Sequence, residues 1–160
     1  MPITDGRPDG YTSLTPFLVC SPAADAIDFY RDVFGATVVM RMDGPDGSVP
    51  HAELQLPVGR LQLGDPSTEY GLVAPAVPPP ALISSSTCIY VGDVDAVFAR
   101  AVERGAVVRE EPSTFVTGDR FASVVDPFGH RWAIMTKVED VSTEEQERRL
   151  AEWAGSESAG

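Results

Sequence analysis

The sequence predicts an α+β fold: two tandem βαβββ modules forming a curved mixed sheet around a cleft, with a further helix at the C-terminal end. The first observation behind this is an internal repeat. Phe29-Tyr30-Arg31-Asp32-Val33 can be laid over Phe98-Ala99-Arg100-Ala101-Val102, and Gly35-Ala36-Thr37-Val38-Val39 over Gly105-Ala106-Val107-Val108. The second is periodicity, since each copy sets an amphipathic helical stretch behind one strand and ahead of several more. The third is a Pro-rich linker at 66–85, where Pro75, Pro78, Pro79 and Pro80 remove backbone donors between the copies. A repeat of this period implies that neither unit buries its apolar face alone.

In chain order, 1–10 reads as a flexible leader and Tyr11 to Cys20 as a strand. Ser21 then offers an N-cap and Pro22 a first helical residue. Ala23, Ala26, Ile27, Tyr30, Val33 and Phe34 recur at helical spacing, and Gly35 stands where a left-handed residue ends a helix. Strands follow at Thr37 to Arg41, at His51 to Leu56 and around Arg60 to Leu63, with a turn at Asp43-Gly44-Pro45-Asp46-Gly47. This first module spans 11–65. The second, 86–140, opens on a strand at Thr87 to Val91 and continues with Asp93 as N-cap. Val94, Val97, Phe98, Ala101 and Val102 keep helical spacing up to Gly105. A loop at Glu110 to Gly118, a strand at Arg120 to Val125, a turn at Asp126-Pro127-Phe128-Gly129 and a strand at Arg131 to Thr136 complete it. The two modules make one domain, 11–140. Ser142 and Glu145 form a capping box for a helix over 141–154, with Leu150 and Trp153 as its apolar edge, and 155–160 reads as a disordered tail.

Composition narrows the function classes. The 160 residues carry 24 acidic against 12 basic side chains, a net charge of −12 with no basic stripe, which argues against nucleic acid as a partner. No apolar run reaches the length of a membrane span, and MPITDGRPDG lacks the pattern of a signal peptide, so a cytoplasmic protein is expected. Cys20 and Cys88 lie in apolar strand-like runs without metal-site spacing and read as buried, reduced thiols.

These residues resemble a known family. The paired modules, AIDFYRDVFGA in the first, DVDAVFARAVERGA in the second and DPFGHRW near the end resemble the vicinal oxygen chelate superfamily. That superfamily includes glyoxalase I, extradiol dioxygenases, fosfomycin and bleomycin resistance proteins, and epimerases. TPFLV, HAELQL, GDRFASVVDPFGHRW and KVEDVSTEEQERR look like its PhnB-like branch, and the match covers roughly 11–150. The resemblance implies a homodimer and, in typical members, one divalent metal held by four His, Gln or Glu side chains. Those positions fall here on Thr15, Glu53, Thr87 and Ala133, of which only Glu53 is a usual ligand type. No cofactor is therefore expected. An altered divalent-metal site has His51 and Glu53 as its only candidates, two residues apart and on one strand face, and is disfavoured.

The candidate ligand-binding cleft is lined by Thr15, Phe17, His51, Glu53, Thr87, Arg120, Trp132 and Ala133, with Tyr90, Phe115 and Phe121 as further aromatic walls. Glu53 is the candidate catalytic residue, a base tuned by burial. Arg120 can reach an anionic or carbonyl-bearing ligand, or else pair with Asp119 or Asp126, and His130 belongs to the turn and faces solvent. Two functions follow. One is a protein of the glyoxalase and bleomycin-resistance type that binds a small organic molecule without the metal tetrad. The other is an enzyme of the superfamily, a lyase, isomerase or transferase, working through Glu53 with or without an altered metal site.

Overall fold

The structure is a computed structural model and describes residues 6–157. Its elements run β1 (Phe17–Val19), α1 (Ala23–Phe34), β2 (Thr37–Met42), β3 (His51–Gln55), β4 (Arg60–Gly64), β5 (Thr87–Tyr90), α2 (Val94–Glu103), β6 (Val107–Thr114), β7 (Asp119–Val125), β8 (Arg131–Lys137) and α3 (Thr143–Glu157). The fold is α+β, and βαβββ occurs twice before the terminal helix. The chain divides into two compact units: one runs to Ser84 and includes 126–130, the other takes Ser85–Val125 and continues from Arg131.

In the first unit the strand order is β1-β4-β3-β2, with β1 parallel to β4 and the other pairs antiparallel. Alternation sorts the side chains. Ala52, Leu54, Leu61 and Leu63 are wholly buried, while His51, Glu53, Gln55, Arg60 and Gln62 between them stay partly exposed. The buried row and the apolar face of α1, including Ile27, Tyr30 and Val33, make the core. Gly35 ends α1 at φ +67, the left-handed cap its position predicts. The start of α1 differs from expectation. Pro22 occupies the N-cap with no side-chain cap, and the Ala23 N–H is met by Asp65 Oδ1 at 3.0 Å, while Asp65 Oδ2 accepts from Val49 N at 2.7 Å. The first strand is also shorter than Tyr11 to Cys20. Residues 11–16 join no ladder apart from Pro16, whose carbonyl accepts from Gln62 N at 3.0 Å but which has no N–H to return.

The turn 126–130 belongs to this unit. Asp126 is 2% exposed, its Oδ1 accepting from the backbone N–H of Phe128 and His130 at 2.9 Å each and its Oδ2 from the Tyr30 hydroxyl at 2.6 Å. Phe128 packs against Phe29 at 6.0 Å between ring centroids. His130 is not turned to solvent: its Nε2 lies 2.9 Å from the Val19 carbonyl, a donor-acceptor pair that anchors the turn.

The second unit repeats the pattern as β5-β8-β7-β6, with β5 parallel to β8. Asp93 caps α2 through Ala96 N at 3.0 Å, as its position predicts. Of the loop expected over Glu110 to Gly118, residues 110–114 are instead the end of β6, which pairs β7 through two register shifts, and 115–118 form the turn. Such bulges break the regular alternation that would have announced a strand. Cys88 departs from expectation as well. It is exposed on an edge strand, whereas Cys20 is buried and its thiol is pushed up to about 12, chiefly by that burial. Ser142 Oγ accepts from Glu145 N at 3.3 Å to open α3, which continues to Glu157, so 155–157 are helical. The predicted leader and tail fall in part on 1–5 and 158–160, outside the described residues.

Candidate functional site

The partly exposed face of the first sheet gathers polar and aromatic side chains. Its ladder sets Phe17, Gln62, Glu53 and Met40 side by side on β1, β4, β3 and β2. His51 Nε2 lies 3.3 Å from Glu53 Oε1, the two side chains being 28% and 21% exposed, and the His51 ring stacks on Phe17 at 5.8 Å. Glu53 Oε2 accepts a short hydrogen bond from the Tyr11 hydroxyl. The Arg60 guanidinium lies over the Tyr11 ring at 5.1 Å from its centroid. Arg60 Nε and Nη1 are buried with no hydrogen-bond partner among the described residues. Tyr11, Arg60 and Gln62 were not read as site residues from the sequence, although Arg60 and Gln62 share the strand parity that puts two polar side chains on one face.

Electrostatics follow from these contacts. The Tyr11 hydrogen bond holds Glu53 below the ordinary carboxylate range against the opposing effect of burial, with His51 and then Arg60 adding to it. Tyr11 moves the other way, raised by burial and then by Glu53, with Gln62 acting against the rise. Glu53 is thus an ionised hydrogen-bond acceptor at neutral pH. The burial expected to tune Glu53 as a base is outweighed by the Tyr11 hydroxyl.

The second sheet presents a different face. Its corresponding row is Cys88, Ala133, Ser123 and Glu110. Glu110 accepts from Ser123 Oγ and from Arg131 Nη2, the latter at 2.6 Å. A pocket of about 460 Å³ beside this row is lined by Phe115, Phe121 and Met135 together with Glu110, Ser113, Thr117 and Asp119. Phe115 meets Trp153 of α3 edge-on at 5.3 Å. Three predicted cleft residues lie on the opposite face. Arg120 is bidentate to Asp95 of α2, both bonds at 2.6 Å, so neither Asp119 nor Asp126 is its partner. Trp132 has the same strand parity through Val124 and Ala122, is 1% exposed, and Thr87 pairs beside it. These side chains turn toward α2 and its core. Thr15 precedes β1 and donates to the Thr12 carbonyl at 3.5 Å.

Residues 14–134 match the family model of the Glyoxalase/Bleomycin resistance protein/Dioxygenase superfamily. The chain belongs to that superfamily. An uncharacterized protein of Mycobacterium tuberculosis is 37% identical over 135 residues, covering 83% of this chain and 79% of that one. Among solved structures, TioX from Micromonospora sp. ML1 superposes with a TM-score of 0.59 at 22% identity, over 79% of this chain and 98% of that one. Protein PA1353 from Pseudomonas aeruginosa gives 0.63 at 19% identity over the same shares. A PhnB protein from Bacillus cereus gives 0.60 at 18%, over 78% of this chain and 99% of that one. These similarities support the fold, with function left to the site.

The residues present do not fit the superfamily's four-ligand metal site. Of the positions aligned to it, Thr15 lies off the strand, Thr87 faces the helix and Ala133 has no donor atom. Among the described residues no three His, Cys, Asp or Glu side chains cluster as metal donors. Both oxygens of Glu53 are already hydrogen-bonded.

Proposed function

We propose that the chain binds a small organic molecule on the exposed face of its first sheet, around Glu53, without the superfamily's metal tetrad. The observation that carries this reading is the juxtaposition of an ionised Glu53 with His51, the Phe17 ring and an Arg60 guanidinium whose buried Nε and Nη1 lack partners. An acceptor, a cation and an aromatic wall within one patch can orient a flat, oxygen-bearing molecule. Acid-base turnover through Glu53 is the second reading, and its lowered proton affinity weakens it, since a general base works best near the operating pH. Resemblance to the superfamily favours a homodimer, and no helix among the described residues is long and apolar enough to cross a membrane.

The test is a thermal-shift screen of aromatic and oxygenated ligands on metal-analysed protein, because a ligand selective for the folded state raises its apparent stability. Hits are expected to lose their shift in Glu53→Gln. Hits unaffected by that change sink the placement of the site, and stoichiometric metal lost in Glu53→Ala sinks the metal-free reading.

A further inference from the structure

We infer that Tyr11 is a tethered occupant of the Glu53 site, and that the molecule the site takes is a phenol, a hydroxylated aromatic ring that enters where Tyr11 leaves. This rests on the proposed binding site and specifies its ligand class. The chain before β1 supports it. Residues 6–16 make no strand or helix, yet they carry Tyr11 to a carboxylate 42 positions away in sequence. The turn that places it is built for close approach. Tyr11 N donates to the Pro8 carbonyl at 3.2 Å, and Gly10 sits at φ +82, where an added Cβ would come within 2.8 Å of Arg60 Nη2.

The contacts Tyr11 makes in the site are those a free phenol can make. Its hydroxyl donates to Glu53 Oε2 and is itself hydrogen-bonded by the Gln62 side chain, and its ring lies under the Arg60 guanidinium. None of these uses the tyrosine backbone. Among the ties of the segment are the Pro8 turn, Thr12 Oγ1 on the Leu14 carbonyl at 2.6 Å, Thr15 Oγ1 on the Thr12 carbonyl at 3.5 Å and the Pro16 carbonyl beside β1. Residues 6–15 lie outside the strand ladder, so the tyrosine can exchange with ligand without breaking the pairing of the sheet beneath. Arg60 Nε and Nη1, unpartnered under the segment, gain an acceptor if the incoming phenol bears an oxygen substituent.

The probe is p-cresol, which has the atoms of the tyrosine side chain, with toluene as its hydroxyl-free control. Calorimetric titration of the full chain at pH 7 is expected to show Tyr11→Gly binding p-cresol at least about tenfold more tightly than the unaltered protein does. It is also expected to favour p-cresol over toluene by at least about tenfold, as one hydrogen bond to an ionised carboxylate allows. Adding Glu53→Gln to Tyr11→Gly is expected to remove the preference over toluene. Tyr11→Phe keeps the ring in place without its hydroxyl and is expected to fall between the unaltered protein and Tyr11→Gly in p-cresol affinity. The inference is overturned if folded Tyr11→Gly, checked by near-ultraviolet circular dichroism, binds p-cresol no better than the unaltered chain or no better than toluene. That failure is separate from failure of the proposed site, which is read from screen hits that ignore Glu53→Gln.

Discussion

Tyr30→Phe tests the core of the first unit with one atom. The Tyr30 side chain is wholly buried, its hydroxyl donates to Asp126 Oδ2 at 2.6 Å, and the Cys20 sulfur is 3.8 Å away. Removing the oxygen leaves the ring packed between Phe29 at 5.6 Å and Phe34 at 6.0 Å, so the cavity is small and the cost is mainly electrostatic. Asp126 Oδ2 loses the Tyr30 donor in a place water does not reach, and an unsatisfied buried polar group costs roughly 1–3 kcal/mol. We expect a loss of about 2 kcal/mol in urea-induced unfolding with an unchanged denaturant slope, and a fall in Tm of about 6 °C for a chain of this size. Asp126→Ala strands three donors and should cost more. The double variant should cost less than the sum of the two, since both remove the same bond. A loss under about 0.5 kcal/mol in Tyr30→Phe refutes the reasoning.

Further outcomes follow from other contacts. Asp65→Ala uncaps α1 and frees the Val49 N–H, and should cost about 1–2 kcal/mol in the same unfolding experiment. Arg120→Ala should leave the affinity of any Glu53-dependent ligand unchanged, because Arg120 is engaged with Asp95 on the face toward α2; a large loss of affinity shows that the assigned face is wrong. Native protein should react with one equivalent of a thiol reagent at Cys88, and with a second at Cys20 only after denaturation, given burial and a thiol raised to about 12. The Tyr11–Glu53 bond carries its own pH dependence. Glu53 is lowered from 4.5, so its contribution is present above that value and lost as pH falls through the lower folded one. Tyr11 is raised from 10.0, so its contribution is present below that value and lost as pH rises through the higher folded one. The Tm difference between the unaltered protein and Tyr11→Phe should therefore be flat around neutrality and shrink at both extremes.

The parts of the fold legible in sequence are those fixed by local chemistry. Gly35 and Asp93 mark helix ends through backbone conformation and capping, both of which act within four residues. Less legible were features set by strand parity and by distant partners. Placing Thr87 in the site required knowing that Cys88, its neighbour, shares a row with Ala133, and parity reverses with every residue of error in register. For Arg120 the sequence offers a ligand or the nearby Asp119 and Asp126, yet its partner is Asp95, 25 positions back on α2. Tyr11 was hidden for a related reason. Its Thr-rich, apolar continuation reads as strand, and only Pro16 warned that the ladder would not extend back to it.

The duplicated modules share a backbone more closely than they share a chemistry. Each sheet places four residues in register across one face, and each has a bulge where its last strand in that order meets the next, after Val38 in one and after Val108 in the other. On this common frame the first module carries Phe17, Gln62, Glu53 and Met40, whereas the second carries Cys88, Ala133, Ser123 and Glu110. The acid has moved from the third strand of its module to the edge strand, where Arg131 and Ser123 already engage it. In the repeat Ser123 stands where the first module has Glu53, and Ala133, which has no donor atom, stands where it has Gln62. The first row keeps an ionised acceptor that, among the described residues, a phenolic side chain and a histidine meet. Recognition of a ligand by hydrogen bonding needs only one such row, so the proposed binding does not depend on the second module repeating these donors.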